Sequence, residues 1–317
     1  MRVCLMIEGQ EDVTWEQWLA LAGACEEHGL EGLFRSDHYQ SVMGVRQRGS
    51  LDAWATLSAL AARTSRIRLG TLVSPATFRH PSVLAKTVVT VDHVSGGRVE
   101  LGLGAGWHEG EHRAYGFEFP PTPIRMERLA EQLEIVTRSW TEDGFDFQGR
   151  HYQVQDLRAL PKPVQRPRPT LLVGGGAGPR SLALAARYAD EYNTLGVPLE
   201  ELAERRRRLL AAWGEAGRDS GTARLSLMTT CVVGRDRAEV EERVGRVMAV
   251  TGSHDSVAEV VDARPHWLLG TVDEVADRLR ALEAAGVSRV MLQHLDHADV
   301  EMVAVLGELA ATMDSAP

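Results

Sequence analysis

Several short clusters in this chain combine residue types that do chemistry. Ser36-Asp37-His38 sets a carboxylate beside an imidazole whose ordinary pKa lies near neutrality, which makes His38 the candidate catalytic acid/base or ring-polarising group. The alternative is a loop-capping aspartate with an exposed histidine. Three adjacent residues cannot form a Ser-His-Asp triad among themselves, and no G-x-S-x-G elbow occurs, so the pattern speaks against a serine hydrolase.

Two glycine runs differ in kind. Gly102-Leu103-Gly104-Ala105-Gly106 is followed by Trp107 and fails the dinucleotide G-x-G-x-x-G spacing; its bare backbone suits close approach to a planar ring. Gly174-Gly175-Gly176-Ala177-Gly178 precedes Pro179 at a helix start, where free N–H groups and the helix dipole converge, as a phosphate requires. A plain tight turn would not normally need four glycines in five positions.

His108-Glu109-Gly110-Glu111-His112 matches the His-Glu-x-x-His zinc pattern. That chemistry needs a helix carrying both histidines on one face, and Gly110 inside the segment and Gly106 before it argue against one. No third ligand is evident downstream, and no metal is expected. His294 and His297 close the last strand and could face the same mouth; a histidine there is more often a hydrogen-bonded structural residue, so neither is assigned.

Positioning these clusters takes a regular alternation of elements. Short apolar strands are predicted at 3–7, 32–35, 66–73, 98–103, 170–173, 191–195, 225–233 and 287–292. Helical periodicity fills the intervals, with Thr14 a plausible cap, Pro81 opening one helix and Gly29 and Gly286 closing others. Residues 107–123 read as irregular and polar, 124–140 as a helix, and 143–169 as a hairpin followed by a proline-rich strap. The arginine-rich stretch 199–213 reads mostly as a solvated face. Eight strands alternating with helices, without an internal sequence repeat, give an α/β fold: a (β/α)8 TIM barrel, one domain over residues 1–317, with an insertion at 107–169 after strand 4. In such a barrel the clusters at 36–38, 104–107 and 174–178 all lie at strand carboxyl ends, the face where active sites sit.

Bulk properties narrow the function. At 317 residues with a formal net charge of -9, the chain lacks the basic balance of a general nucleic-acid binder. Lys86 and Lys162 are its only lysines. Cys4, Cys25 and Cys231 are widely spaced, odd in number and without a C-x-x-C pair, as in reduced cytosolic thiols. The N-terminus reaches Glu8 without a signal-peptide apolar run, and no segment has the length of a membrane helix. A soluble, cytoplasmic protein with no membrane partner is expected.

SDH after the second strand, GTLVSPATFRHP at the third, GGRVELGLGAGWHEGEHRAYG at the fourth and VGGGAGPRSLALAARYADEYN at the fifth resemble the bacterial-luciferase-like oxidoreductases. Within them the chain is most similar to the branch using the deazaflavin coenzyme F420, and the likeness extends to the late segment GTVDEVADRLRALEAAGVSRVML. The resemblance implies coenzyme contacts at Asp37 and His38. It implies a non-proline cis peptide at Leu72-Val73 pressing on one ring face. Gly104 and Gly106 would lie along the ring, and Gly174, Gly175, Gly176, Ala177 and Gly178 would hold the phosphate. Trp107 stands where sugar-phosphate-oxidising members carry a proton-donating glutamate, so it is expected to wall the substrate pocket instead. Those members also hold phosphate with lysines, and this chain has none after Lys162.

The implied activity is hydride transfer between F420 and an organic substrate. The alternative is an FMN-dependent monooxygenase using reduced flavin and O2. The implied partners are a small-molecule substrate and a flavin or F420 reductase. Dimers are common in the family, which leaves a homodimer open. A barrel that only binds a deazaflavin is the non-catalytic alternative, and a metal hydrolase the most distant one.

Overall fold

The computed structural model describes residues 1–45, 47–253 and 255–314. Eight parallel strands form its centre: β1 (Arg2–Ile7), β2 (Gly32–Arg35), β3 (Arg68–Thr71), β4 (Val99–Gly104), β5 (Thr170–Gly174), β6 (Glu191–Leu195), β7 (Arg224–Gly234) and β8 (Val287–His294). Each pairs with its sequence neighbour, and β8 pairs with β1 from Arg2↔Arg289 to Ile7↔His294, so the sheet closes on itself. The expected (β/α)8 TIM barrel is the observed fold.

Both faces of the strands are covered, which is why they read as near-continuous apolar runs. On β1, Val3, Leu5 and Ile7 join the shell between strands and helices. Cys4 and Met6 point inward and pack with Phe34, Leu72, Leu172 and Met291 along the barrel axis. The strand amino ends carry a buried ionic layer. Arg289 donates to Glu100 at 2.8 Å and Glu191 at 2.9 Å, and its guanidinium lies 5.2 Å over the Phe34 ring.

Local chemistry sets the helix boundaries. Thr14 forms a capping box with Gln17 at α1 (Trp15–Glu27), and Asp52 accepts from Ala55 N at α2 (Ala53–Arg63). Pro81 opens α3 (Pro81–Ser95), which Gly96 ends in the left-handed conformation.

Four details differ from the sequence reading. The third strand stops at Thr71, and pairing resumes only at Ser74–Pro75 against β4. Part of 107–123 is helical: α4 (Glu109–Tyr115) tolerates Gly110 because tertiary contacts of Glu111 and His112 hold it. A short strand, Leu268–Thr271, adds to the outside of β7. The arginine-rich helix, Leu199–Glu215, is less solvated than expected, since Arg205 reaches Thr194 and Arg208 donates to the Ala177 carbonyl at 3.2 Å.

The insertion after β4 contains α4, then α5 (Thr122–Thr141) and the hairpin Phe145–Gln148 with Gln153–Leu157. The following strap is held by both lysines: Lys86 donates to Leu160 O and Lys162 to Ser139 O. Among the described residues, no helix is long and apolar enough to cross a membrane.

Candidate active site

Continuing the inward alternation past the strand ends builds the site. Glu8 follows Cys4 and Met6, His38 follows Phe34, Gly104 follows Gly102, and Asn193 and Leu195 end β6; all border one cavity of about 520 Å³. The space also meets Leu72, Val73, Trp107, Glu111, Gly174, Gly175 and Gly176. The structure thus brings the clusters after β2, β3, β4 and β5 to one rim, as the barrel geometry requires.

His38 stands against α4. Its Nδ1 lies 2.8 Å from Glu111 Oε2, while the other carboxylate oxygen accepts from the backbone N–H groups of Tyr39 and Gln40. Glu111 is fully buried. One carboxylate therefore fixes both the imidazole and the backbone that carries it. Burial pulls the His38 pKa down, but the Glu111 hydrogen bond and charge outweigh it, and the net shift is upward. Burial opposes ionisation of Glu111 in turn, and His38 with the two N–H donors overrides it, leaving that carboxyl below its ordinary range.

Asp37, expected to touch the coenzyme, lies behind the cavity wall. It is 1 % exposed, accepts from Ser74 Oγ at 2.6 Å and pairs with Arg79, which also reaches Asp52 at 2.9 Å. Its geometry is that of a strut joining the loops after β2 and β3. Ser36 is likewise a brace: its hydroxyl donates to Gln10 and accepts from Gly9 N.

The Leu72–Val73 peptide is cis, as the resemblance implied. The Val73 side chain lies between two glycines. A Cβ on Gly104 would sit 2.7 Å from Val73 Cγ2, and one on Gly174 would sit 2.9 Å from Val73 Cγ1. A bare Gly104 admits Val73 and still borders the cavity. Gly106 lies beyond it on the cavity wall, close against Thr77 Oγ1.

The 174–178 loop leads into α6 (Pro179–Tyr188), whose N-terminus has no side-chain cap. Its first-turn N–H groups are the natural partners of an anion. Nothing lies within 4 Å of where a Gly176 Cβ would be, so this backbone is open. Ala177 instead turns inward, its N–H donating to Tyr192 OH at 2.9 Å, and neither it nor Gly178 lines the cavity. Ser181, one turn into α6, does line it.

The His-Glu-x-x-His pattern is divided by the fold. His112 is buried, with Nε2 2.6 Å from Thr77 Oγ1 and Nδ1 2.8 Å from His108 O. Both histidines line the cavity, but only His108 joins His38 and Glu111, one ligand atom of each lying within 4.8 Å of the others. Trp107 is 63 % exposed and meets His38 edge-on at 5.6 Å, forming the outer wall. His294 and His297 are buried away from the cavity, and burial lowers both pKa values, His297 to about 3.

Sequence reasoning missed Glu8, Glu111, Asn193, Leu195 and Met228 as lining residues. Period-two continuation of β1, β6 and β7 signals all but Glu111. Glu111 meets His38 across 73 positions, where no spacing rule applies.

A closed parallel barrel with a mostly apolar cavity at its carboxyl rim, a His–Glu pair and an uncapped helix N-terminus defines a (β/α)8 protein of the kind that binds small molecules at that rim. Residues 3–289 match the luciferase-like monooxygenase family, and the chain belongs to it. It is 36 % identical over 170 residues to an F420-dependent glucose-6-phosphate dehydrogenase of Amycolatopsis mediterranei (strain U-32), a match covering 53 % of this chain and 49 % of that protein. It thus spans about half the length of the dehydrogenases it matches. It is 29 % identical over 265 residues to an FMNH2-dependent dimethylsulfone monooxygenase of Pseudomonas putida, covering 74 % and 70 % of the two chains. Among solved structures, a monooxygenase of Streptomyces bottropensis superposes with a TM-score of 0.83 at 24 % identity, covering 99 % of this chain and 98 % of that one. At that identity the likeness shows the fold.

Proposed function

We propose that this protein is an oxidoreductase that moves hydride between coenzyme F420 and an organic substrate. The observation that carries the reading is the joining, around one cavity, of the Val73 wedge, the open backbone at Gly176 and the His38–Glu111 pair. The residues fit a flat, phosphate-tailed coenzyme. A cavity of about 520 Å³ walled by Leu72, Val73 and Ala105 suits the ring, and the α6 N-terminus with Ser181 suits the phosphate. Bound F420 supplies the hydride-carrying ring carbon. Val73 fixes which ring face is open, and the apolar wall excludes water. His38, its pKa raised by the hydrogen bond and charge of Glu111, presents its ring to the cavity as the acid/base group.

Several of the similar proteins are F420-dependent dehydrogenases, which supports F420. The second reading is an FMN-dependent monooxygenase, favoured by the longer match to the dimethylsulfone enzyme. On either reading a separate reductase recycles the coenzyme. Three buried free cysteines support a reducing, cytoplasmic setting.

Titration of the purified protein with F420 and FMN separates the two. Tight F420 binding with negligible FMN affinity is expected, and the reverse order transfers the assignment to the monooxygenase. Coenzyme binding without any substrate-dependent change in the visible absorbance of F420, in either redox state, leaves only a storage barrel.

A further inference from the structure

The coenzyme reading leaves the substrate open, and the distribution of charge around the cavity bears on it. The barrel rim is electrically asymmetric. On one side the N-terminus of α6, after β5, offers the partial positive charge that a phosphate tail needs. Strand β1 lies across the ring from β5 and ends in Glu8, and Glu111, from α4, is bonded to the loop after β2; both carboxylates meet the cavity.

Both carboxylates are fixed. Glu8 accepts from Gln10 at 2.7 Å and Gln293 at 2.6 Å, and Glu111 accepts from His38 and two backbone N–H groups. The rest of the wall around them is mostly apolar (Val42, Phe78, Trp107, Met126 and Leu129), with Ser36, His108 and His112 also lining the cavity.

Arginines are close by, but each is committed elsewhere. Arg79 pairs with Asp37 and Asp52, Arg125 donates to the carbonyls of Gly106 and Pro120, and Arg48 pairs with Glu11. Among the described residues, no lysine or arginine lines the cavity. Arg48 and Arg113 border a second cavity of about 690 Å³ that shares His108 with this one.

An anionic substrate would have to leave water for a mostly apolar wall facing two carboxylates, met only by the imidazoles of His38 and His108, since both ring nitrogens of His112 are already engaged. Neutral molecules escape that cost and gain from covering the wall.

Resting on the coenzyme reading of this same cavity, we propose that the substrate is an uncharged, largely apolar carbonyl compound or alcohol, and that carboxylates and sugar phosphates are rejected. Trp107 is the specificity-determining wall. The inference departs from the sugar-phosphate substrate printed in the name of the similar dehydrogenases.

The test uses the full-length protein loaded with whichever coenzyme it binds, followed by coenzyme fluorescence. Cyclohexanone is compared with 4-oxocyclohexanecarboxylate, the same ring and ketone bearing a charge, and with glucose 6-phosphate. Cyclohexanone is expected to bind at least tenfold more tightly than the carboxylate, with no saturable signal from the phosphate ester. Trp107→Lys puts a cation in place of the apolar wall and should strengthen carboxylate binding at least tenfold while weakening cyclohexanone, narrowing or reversing the preference. Equal or tighter binding of either anion to the unsubstituted protein, or no binding of cyclohexanone, overturns the inference. Failure of both coenzymes to bind is seen before any ketone is added, and it sinks the coenzyme reading instead.

Discussion

The two ends of this barrel bury charge in opposite ways. At the strand amino ends, Arg289 is shared by Glu100 and Glu191, and Arg68 adds to Glu100, in a layer closed off by Phe34. At the carboxyl ends, Glu111 holds His38, but the imidazole borders open space. The lower layer spends its charges on one another and becomes a plug. The upper pair spends one side of the imidazole on orientation and leaves the rest free for a ligand. What distinguishes a structural ion network from a candidate site is the direction of the last unsatisfied group, not burial or charge type.

The largest expected effect lies at the plug. Arg289→Leu leaves two carboxylates buried without their cation and should cost ~3–5 kcal/mol of stability. Calorimetry should show the loss, and coenzyme affinity of the protein that stays folded should move less than twofold. A large affinity change would mean that the two ends are coupled.

His38→Ala should do the reverse, cutting turnover or coenzyme affinity at least tenfold with a much smaller change in melting temperature. Unchanged kinetics would remove His38 from the mechanism.

Gly104→Ala puts a methyl 2.7 Å from Val73 Cγ2 and should push that side chain into the cavity. Such overpacking costs ~1–3 kcal/mol of stability, and the displaced side chain should weaken coenzyme binding in the same titration. An unchanged titration would separate Val73 from the coenzyme contact.

The subtlest effect is on pH. A raised His38 pKa stabilises the folded protein fully below the ordinary histidine value, and the contribution disappears as pH rises through the raised one. The lowered Glu111 contributes above the ordinary glutamate value and loses that contribution as pH falls through its own. The pair is therefore strongest between the ordinary glutamate and ordinary histidine values. Glu111→Gln should move the alkaline limb of the activity profile to lower pH by ~1 unit, the size of an ordinary environmental shift. An unmoved limb would show that Glu111 does not set the His38 proton.

The eight barrel strands were legible because each carries enough apolar residues to be buried on both faces, and cap or opening residues such as Thr14 and Pro81 bound the helices between them. Family membership was legible in the motifs after strands 2 to 5, and the match over residues 3–289 bears it out. The short helix at Glu109–Tyr115 was not, because Gly110 lowers its local propensity and distant contacts restore it. Nor was the strut role of Asp37, which depends on Arg79 arriving from another loop.

The sequence by itself determined the barrel, its rim and the residue types gathered there, since periodicity and punctuation act over a few neighbouring positions. Only the tertiary structure decided which of those residues meet. Glu111 reaches His38, Val73 fills the space left by Gly104 and Gly174, and His112 turns to Thr77. The reason is physical: such pairings are fixed by barrel closure and by the need to satisfy each buried polar group, and neither leaves a local signature in the chain.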